Sequence, residues 1–145
     1  MRSKLTIGGR ALVVSALMLA PLLATHDQSS AVVIGSKLYI YTYAWNSSTN
    51  SSENKLWVYE GSSSATILKD FGSASIGGIY ELGTTVAILV YESSSYKFYV
   101  YDPSTQEIIE KGSLSSYPNY VTEFDSKLYY TVYTSGSYYI YSFDG

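Results

Sequence analysis

The feature that most constrains this chain is an internal repeat of about 42 residues. Three segments open alike: IGSKLYIYTY (Ile34–Tyr43), LGTTVAILVY (Leu82–Tyr91) and FDSKLYYTVY (Phe124–Tyr133). Three later segments also match: LWVYE (Leu56–Glu60), FYVYD (Phe98–Asp102) and YYIYS (Tyr138–Ser142). In the later set Val58, Val100 and Ile140 lie 42 and 40 residues apart; in the earlier set Leu38, Val86 and Leu128 lie 48 and 42 apart. The extra residues of the first unit fall in WNSSTNSSENK (Trp45–Lys55), which reads as a long polar hairpin loop.

Each unit reads as short strands separated by Gly/Ser/Thr/Asp turns. In the first unit the strands are Ala31–Ile34, Lys37–Ala44, Lys55–Glu60 and Ala65–Phe71. In the second they are Gly78–Leu82, Val86–Glu92, Tyr96–Tyr101 and Glu107–Gly112. The third gives Tyr120–Phe124, Lys127–Thr134 and Tyr138–Phe143, with no fourth strand. No window beyond the N-terminal segment shows a helical period. The expected fold is therefore all-β: antiparallel four-stranded blades at 31–72, 78–113 and 120–145, the last incomplete. This is a partial β-propeller-like array, since closed propellers use about four to eight blades. The array reads as cut inside a blade. Strand 138–143 is then an exposed edge, to be covered by a partner, by His26–Ser30 or by sequence beyond this chain. Homo-oligomerisation through that edge is one expectation.

The stretch Tyr99–Tyr133 resembles a Kelch-type propeller repeat. Tyr101, Asp102, Pro103, Ser104 and Thr105 match its strand-ending Tyr-Asp-Pro and Ser/Thr turn, and Lys127, Leu128 and Tyr129 match its later Lys-Leu-Tyr strand. The double glycine of such repeats has no counterpart in Thr131–Thr134, and Glu107–Ile109 stands where their tryptophan is expected. In physical terms Asp102 caps a tight turn and Pro103 presets its φ.

The N-terminus reads as a secretory signal peptide over residues 1–24. Arg2, Lys4 and Arg10 precede the apolar run Ala11–Ala24. A run of fourteen residues falls short of the roughly 20 that span a bilayer. A secreted or cell-surface domain over 25–145 is expected, with no membrane span once the signal is removed. That domain holds six lysines against twelve acids, a net of −6, and no arginine. Nucleic-acid binding needs clustered cations, so the composition opposes it.

No cysteine is present, which excludes disulfides, thiolate metal sites and thiol nucleophiles. The only histidine is His26, so no Ser-His-Asp constellation can be assembled. No cofactor, metal site or catalytic residue is expected. Glu107 and Glu110 are the one carboxylate pair weighed for glycosidase-type work, against solvated surface charge. Gly77-Gly78 suits a bend and not a phosphate loop.

Seventeen tyrosines fill the strands. Alternation puts Leu38 and Ile40 opposite Tyr39, Tyr41 and Tyr43, so both strand faces are large and apolar-bodied. Two-sided burial between neighbouring blades follows, with hydroxyls near the rim. The alternative is an exposed ligand platform, for which the loop residues Trp45, Tyr117 and Tyr120 are the candidates. Asn46 and Asn50 are both N-x-[ST] acceptors for glycosylation. The function expected is a non-enzymatic interaction module that binds a protein or glycan. The alternatives are a structural surface protein that assembles by sheet-edge pairing, or a piece of a larger propeller protein; a carbohydrate-active enzyme ranks below both.

Overall fold

The computed structural model describes residues 5–7, 10–12, 31–61, 64–114 and 116–145. Two three-residue strands, β1 (Leu5–Ile7) and β2 (Arg10–Leu12), pair with each other. The rest of the expected signal peptide, and His26–Ser30, lie outside the described residues.

Eleven further strands form three antiparallel meanders. Sheet 1 runs β3 (Ala31–Ile34), β4 (Lys37–Asn46), β5 (Ser51–Tyr59) and β6 (Thr66–Gly72). Sheet 2 runs β7 (Ser75–Leu82), β8 (Thr85–Glu92), β9 (Ser95–Asp102) and β10 (Glu107–Leu114). Sheet 3 holds β11 (Asn119–Phe124), β12 (Lys127–Thr134) and β13 (Ser137–Phe143). Every strand expected from the pattern is present, and the chain is all-β among the described residues, with no closed barrel. No helix there is long and apolar enough to cross a membrane.

The turns explain the meander. A type I′ hairpin turn has positive φ at both central positions, and its twist matches that of the strands. Ser93-Ser94 (48° and 64°), Asp125-Ser126 (52° and 57°) and Ser135-Gly136 (50° and 83°) all adopt it. A bulge between Ile76 and Gly78 bends β7. A Cβ at Gly77 would stand 3.2 Å from Leu89 Cδ2, so glycine there permits a close approach.

Packing follows the alternation. One face of sheet 1 (Tyr39, Tyr41, Leu56, Val58) meets Ile79, Val86, Ile88, Tyr99 and Tyr101 of sheet 2. The opposite face of sheet 2 (Ala87, Leu89, Phe98, Val100) meets Leu128, Tyr130 and Val132 of sheet 3. Sheet 2 is therefore buried on both faces, and Val86 to Val90 are all fully buried. Each large aliphatic side chain in that run contributes about 1.5–3 kcal/mol by leaving water.

Two expectations need correction. Trp45–Lys55 is not a long loop. β4 and β5 stay paired through Ala44↔Glu53, Trp45↔Ser52 and Asn46↔Ser51, leaving a turn of four residues, 47–50. The Ser/Asn composition misled because an exposed ladder tolerates polar side chains on its outer pairs. Two-sided burial also fails for sheet 3. Its outer face has no sheet against it among the described residues, so Phe124, Tyr133, Tyr138 and Ile140 stay exposed. β13 forms an edge there, exposed from Ser137 to Ser142.

Candidate functional site

In an antiparallel meander successive connections alternate between the two ends of the sheet. The hairpin turns 47–50, 93–94 and 135–136 share one end with the connections at 73–74 and 116–118. One residue further into the strands stand aromatic side chains: Trp45, Tyr91, Tyr96, Tyr133 and Tyr138. Tyr91 and Tyr96 are cross-strand partners with ring centroids 4.7 Å apart, and Tyr117 packs edge-on against Tyr96 at 5.4 Å. Tyr133 and Tyr138 repeat the pair on sheet 3 at 4.9 Å. Tyr43 and Trp45 stand at the same end of sheet 1, both exposed.

Beside this end a shallow cleft of ≈ 300 Å³ opens between sheets 2 and 3. Ser113, Leu114 and Ser116 line one wall; Tyr130, Val132 and Tyr141 line the other. Tyr141 stacks on Tyr130 at 5.8 Å with planes 20° apart, which fixes both rings. The lining holds hydroxyls and ring faces and no charged side chain. Such a surface can stack on apolar ring faces and hydrogen-bond to neutral hydroxyls.

All three expected platform residues stand at this end, but they do not form one cluster. Tyr117 belongs to the Tyr91–Tyr96 group. Trp45 stands apart at the end of β4, and Tyr120, 83 % exposed, sits at a φ of 50° in the bulged start of β11. Trp45 and Tyr120 are strand residues and not loop residues. Strand alternation alone assigns Tyr91, Tyr96, Tyr133 and Tyr138 to packing, yet they stand at this end. The signal for them was present: Tyr43, Tyr91 and Tyr133 occupy one position of the repeat.

A cluster of charged groups lies on the sheet 1 side of sheet 2, with Glu92 beside the 93–94 turn. The Tyr99 hydroxyl donates to Glu92 Oε1, and Lys97 Nζ reaches Glu92 Oε1 and Glu110 Oε2, each at 2.9 Å. Burial, and then the bond to Glu92, pushes the Tyr99 hydroxyl up to about 12. The Tyr99 and Lys97 bonds hold Glu92 below the ordinary carboxylate range. Glu107 lies three residues from Glu110 on β10, with no bulge between them, so the two carboxylates point to opposite faces. They do not converge across a bond as glycosidase carboxylates must. Asp102 acts as a turn cap: its Oδ1 accepts from the Ser104 amide at 2.8 Å and the Ser104 hydroxyl at 2.7 Å. Among the described residues no three His, Asp or Glu side chains converge as metal ligands would.

The two glycosylation candidates differ. The Asn46 amide nitrogen donates to Glu53 Oε1 at 2.9 Å, and its oxygen accepts from the Ser48 and Thr49 amides. Asn50 is exposed in the turn at a φ of 52°. No family model, curated protein or solved structure matches the chain.

Proposed function

We propose that this chain is a secreted or cell-surface interaction module, non-enzymatic, that binds a glycan at the aromatic end of its sheets. The observation that carries the reading is the pairing of exposed tyrosines with the uncharged cleft of Ser113, Ser116, Tyr130 and Tyr141. Sugar rings offer apolar faces and neutral hydroxyls, and this lining complements both. Tyrosine also loses little conformational freedom on binding, having only two side-chain torsions. Secretion rests on the charged and apolar pattern of residues 1–24, and the propeller-like reading on the repeat and its four-stranded units.

The test is a glycan array probed with the full chain, followed by titration of hits against Tyr117→Ala and Tyr141→Ala. Binding that falls at least tenfold in both variants supports the reading. Absence of any hit, or hits indifferent to both substitutions, rejects it.

A further inference from the structure

Among the described residues, the two closest tyrosine–tyrosine contacts occupy one structural position. Tyr91 and Tyr96 stand directly opposite each other on β8 and β9, and Tyr133 and Tyr138 on β12 and β13. Each pair lies one step inside a two-residue turn of positive φ, Ser93-Ser94 or Ser135-Gly136. The ring centroids are 4.7 Å and 4.9 Å apart, and the planes are tilted by 41° and 52°. Two phenols joined carbon to carbon beside their hydroxyls have ring centres little closer than this, and their rings are likewise twisted. The remaining tyrosine contacts differ. Tyr39 and Tyr101 are buried at 5.7 Å, Tyr96 meets Tyr117 edge-on at 5.4 Å, and Tyr130 lies nearly parallel to Tyr141 at 5.8 Å. In sheet 1 the same repeat position holds Tyr43, whose partner is Asn54.

The strands these pairs join are poorly fixed in register by their own pattern. Slipping a strand by one residue normally turns its apolar side chains to water. Val86 to Val90 are buried on both faces of sheet 2, so a slip of β8 against β9 exchanges one apolar face for another. From Leu128 to Tyr133 only Thr131 breaks the apolar and aromatic run of β12. The chain has no cysteine, so no disulfide can pin either hairpin.

We propose that Tyr91–Tyr96 and Tyr133–Tyr138 are sites of oxidative coupling, each yielding a dityrosine that locks its hairpin in register. The co-reactant is hydrogen peroxide acting through a peroxidase. Each phenol gives up one electron and its hydroxyl proton. The two ring carbons beside the hydroxyls then join, and the hydrogens on those carbons move to the oxygens, restoring both phenols. Two hydrogens leave the protein per link, and one hydrogen peroxide takes them up to become two waters. Access is open at Tyr91, Tyr133 and Tyr138, all of which are exposed. Coupling is independent of the glycan reading, since it requires only the geometry of the two pairs.

The test is treatment of the dilute full chain with a peroxidase and limiting hydrogen peroxide, followed by digestion at glutamate and mass spectrometry. Glu92 lies between Tyr91 and Tyr96, so their link joins two peptides that cleavage would otherwise part. Tyr133 and Tyr138 share one peptide, which should lose two hydrogens. The expected product has the mass of one copy, carries these two links and leaves Tyr43 unmodified. Tyr96→Phe should abolish the first link and keep the second, and Tyr138→Phe should do the reverse, both with unchanged circular dichroism. After unfolding in urea, the linked chain should refold several-fold faster than the unlinked chain, because its register is already set. Links between copies only, links mainly at other tyrosines, or a yield unchanged by either substitution would overturn the coupling sites. Equal refolding rates would overturn the register role.

Discussion

The ring of Phe143 stacks on the ring of Phe98, with centroids 4.6 Å apart and planes 16° apart. Phe98 is fully buried and also touches Tyr130 at 5.6 Å. The pair ties the last strand of sheet 3 to the middle of sheet 2. Phe98→Ala should cost about 3–5 kcal/mol, the usual range for a buried phenylalanine. A double-mutant cycle with Phe98→Leu and Phe143→Leu should return a coupling of about 0.5–1.5 kcal/mol beyond area burial. Urea unfolding curves measure both. A coupling indistinguishable from zero would mean that the stack carries no specific energy.

Tyr39 is fully buried, and its hydroxyl has no hydrogen-bond partner among the described residues. Its ring packs on Tyr101 at 5.7 Å, so the side chain contributes as an apolar body. A buried, unpaired hydroxyl carries a desolvation cost of about 1–3 kcal/mol. Tyr39→Phe keeps the ring and removes that cost. The variant should be more stable than the parent, by about 1 kcal/mol at the lower end of that range. Loss of stability on denaturant titration would show that the hydroxyl is paired.

Strand positions were legible because the repeat and the two-residue alternation agree, as in Val86–Val90, where every residue is buried. Burial depth was less legible. Val100 and Ile140 hold the same repeat position and are both β-branched, yet Val100 is 8 % exposed and Ile140 76 %. A strand's own pattern says that a face is apolar. It does not say whether another sheet covers it. The same limit hid Tyr133 and Tyr138 from the candidate platform, since strand tyrosines were assigned to packing. Tyr117 was found because it lies in a connection, where packing is the weaker explanation. The extended β4–β5 hairpin escaped because its outer pairs are polar. Bonds such as Asn46 to Glu53 arise only once the register exists.

The Ser93-Ser94 turn holds two non-glycine residues at positive φ. Left-handed backbone costs an L-residue about 1–2 kcal/mol, and asparagine and glycine relieve it. Replacing the pair with Asn-Gly should raise stability by about 1 kcal/mol, at the lower end of that range. The β8–β9 pairing should stay unchanged. Thermal unfolding reports the gain. An unchanged or lower midpoint would show that the serines relieve the strain by bonds of their own.

Glycosylation should favour Asn50 over Asn46. The Asn46 nitrogen is committed to Glu53, and its side chain organises the turn. Asn50 projects from the turn into solvent. Peptide mapping of chain secreted from a glycosylating host should find sugar at Asn50, removed by Asn50→Gln. Exclusive occupancy of Asn46 would contradict this ranking.

The tyrosines set the alkaline limit of stability. Burial pushes the Tyr80 hydroxyl up to about 12, and burial with the Glu92 bond does the same for Tyr99. Both rise from an ordinary value of 10.0. A raised folded value means that the folded chain keeps a proton that the unfolded chain releases. The stabilisation is complete below pH 10 and is lost as the pH climbs toward 12. Unfolding free energy should therefore fall across that window. Phenylalanine at Tyr80 and Tyr99 removes both titrations, so the double variant should show a shallower decline. At Tyr99 the substitution also removes a charge-assisted bond to Glu92, which costs about 1.5–3 kcal/mol at neutral pH. The slope with pH, and not the absolute stability, is therefore the deciding measurement. Equal slopes in parent and variant would assign the alkaline loss to other groups.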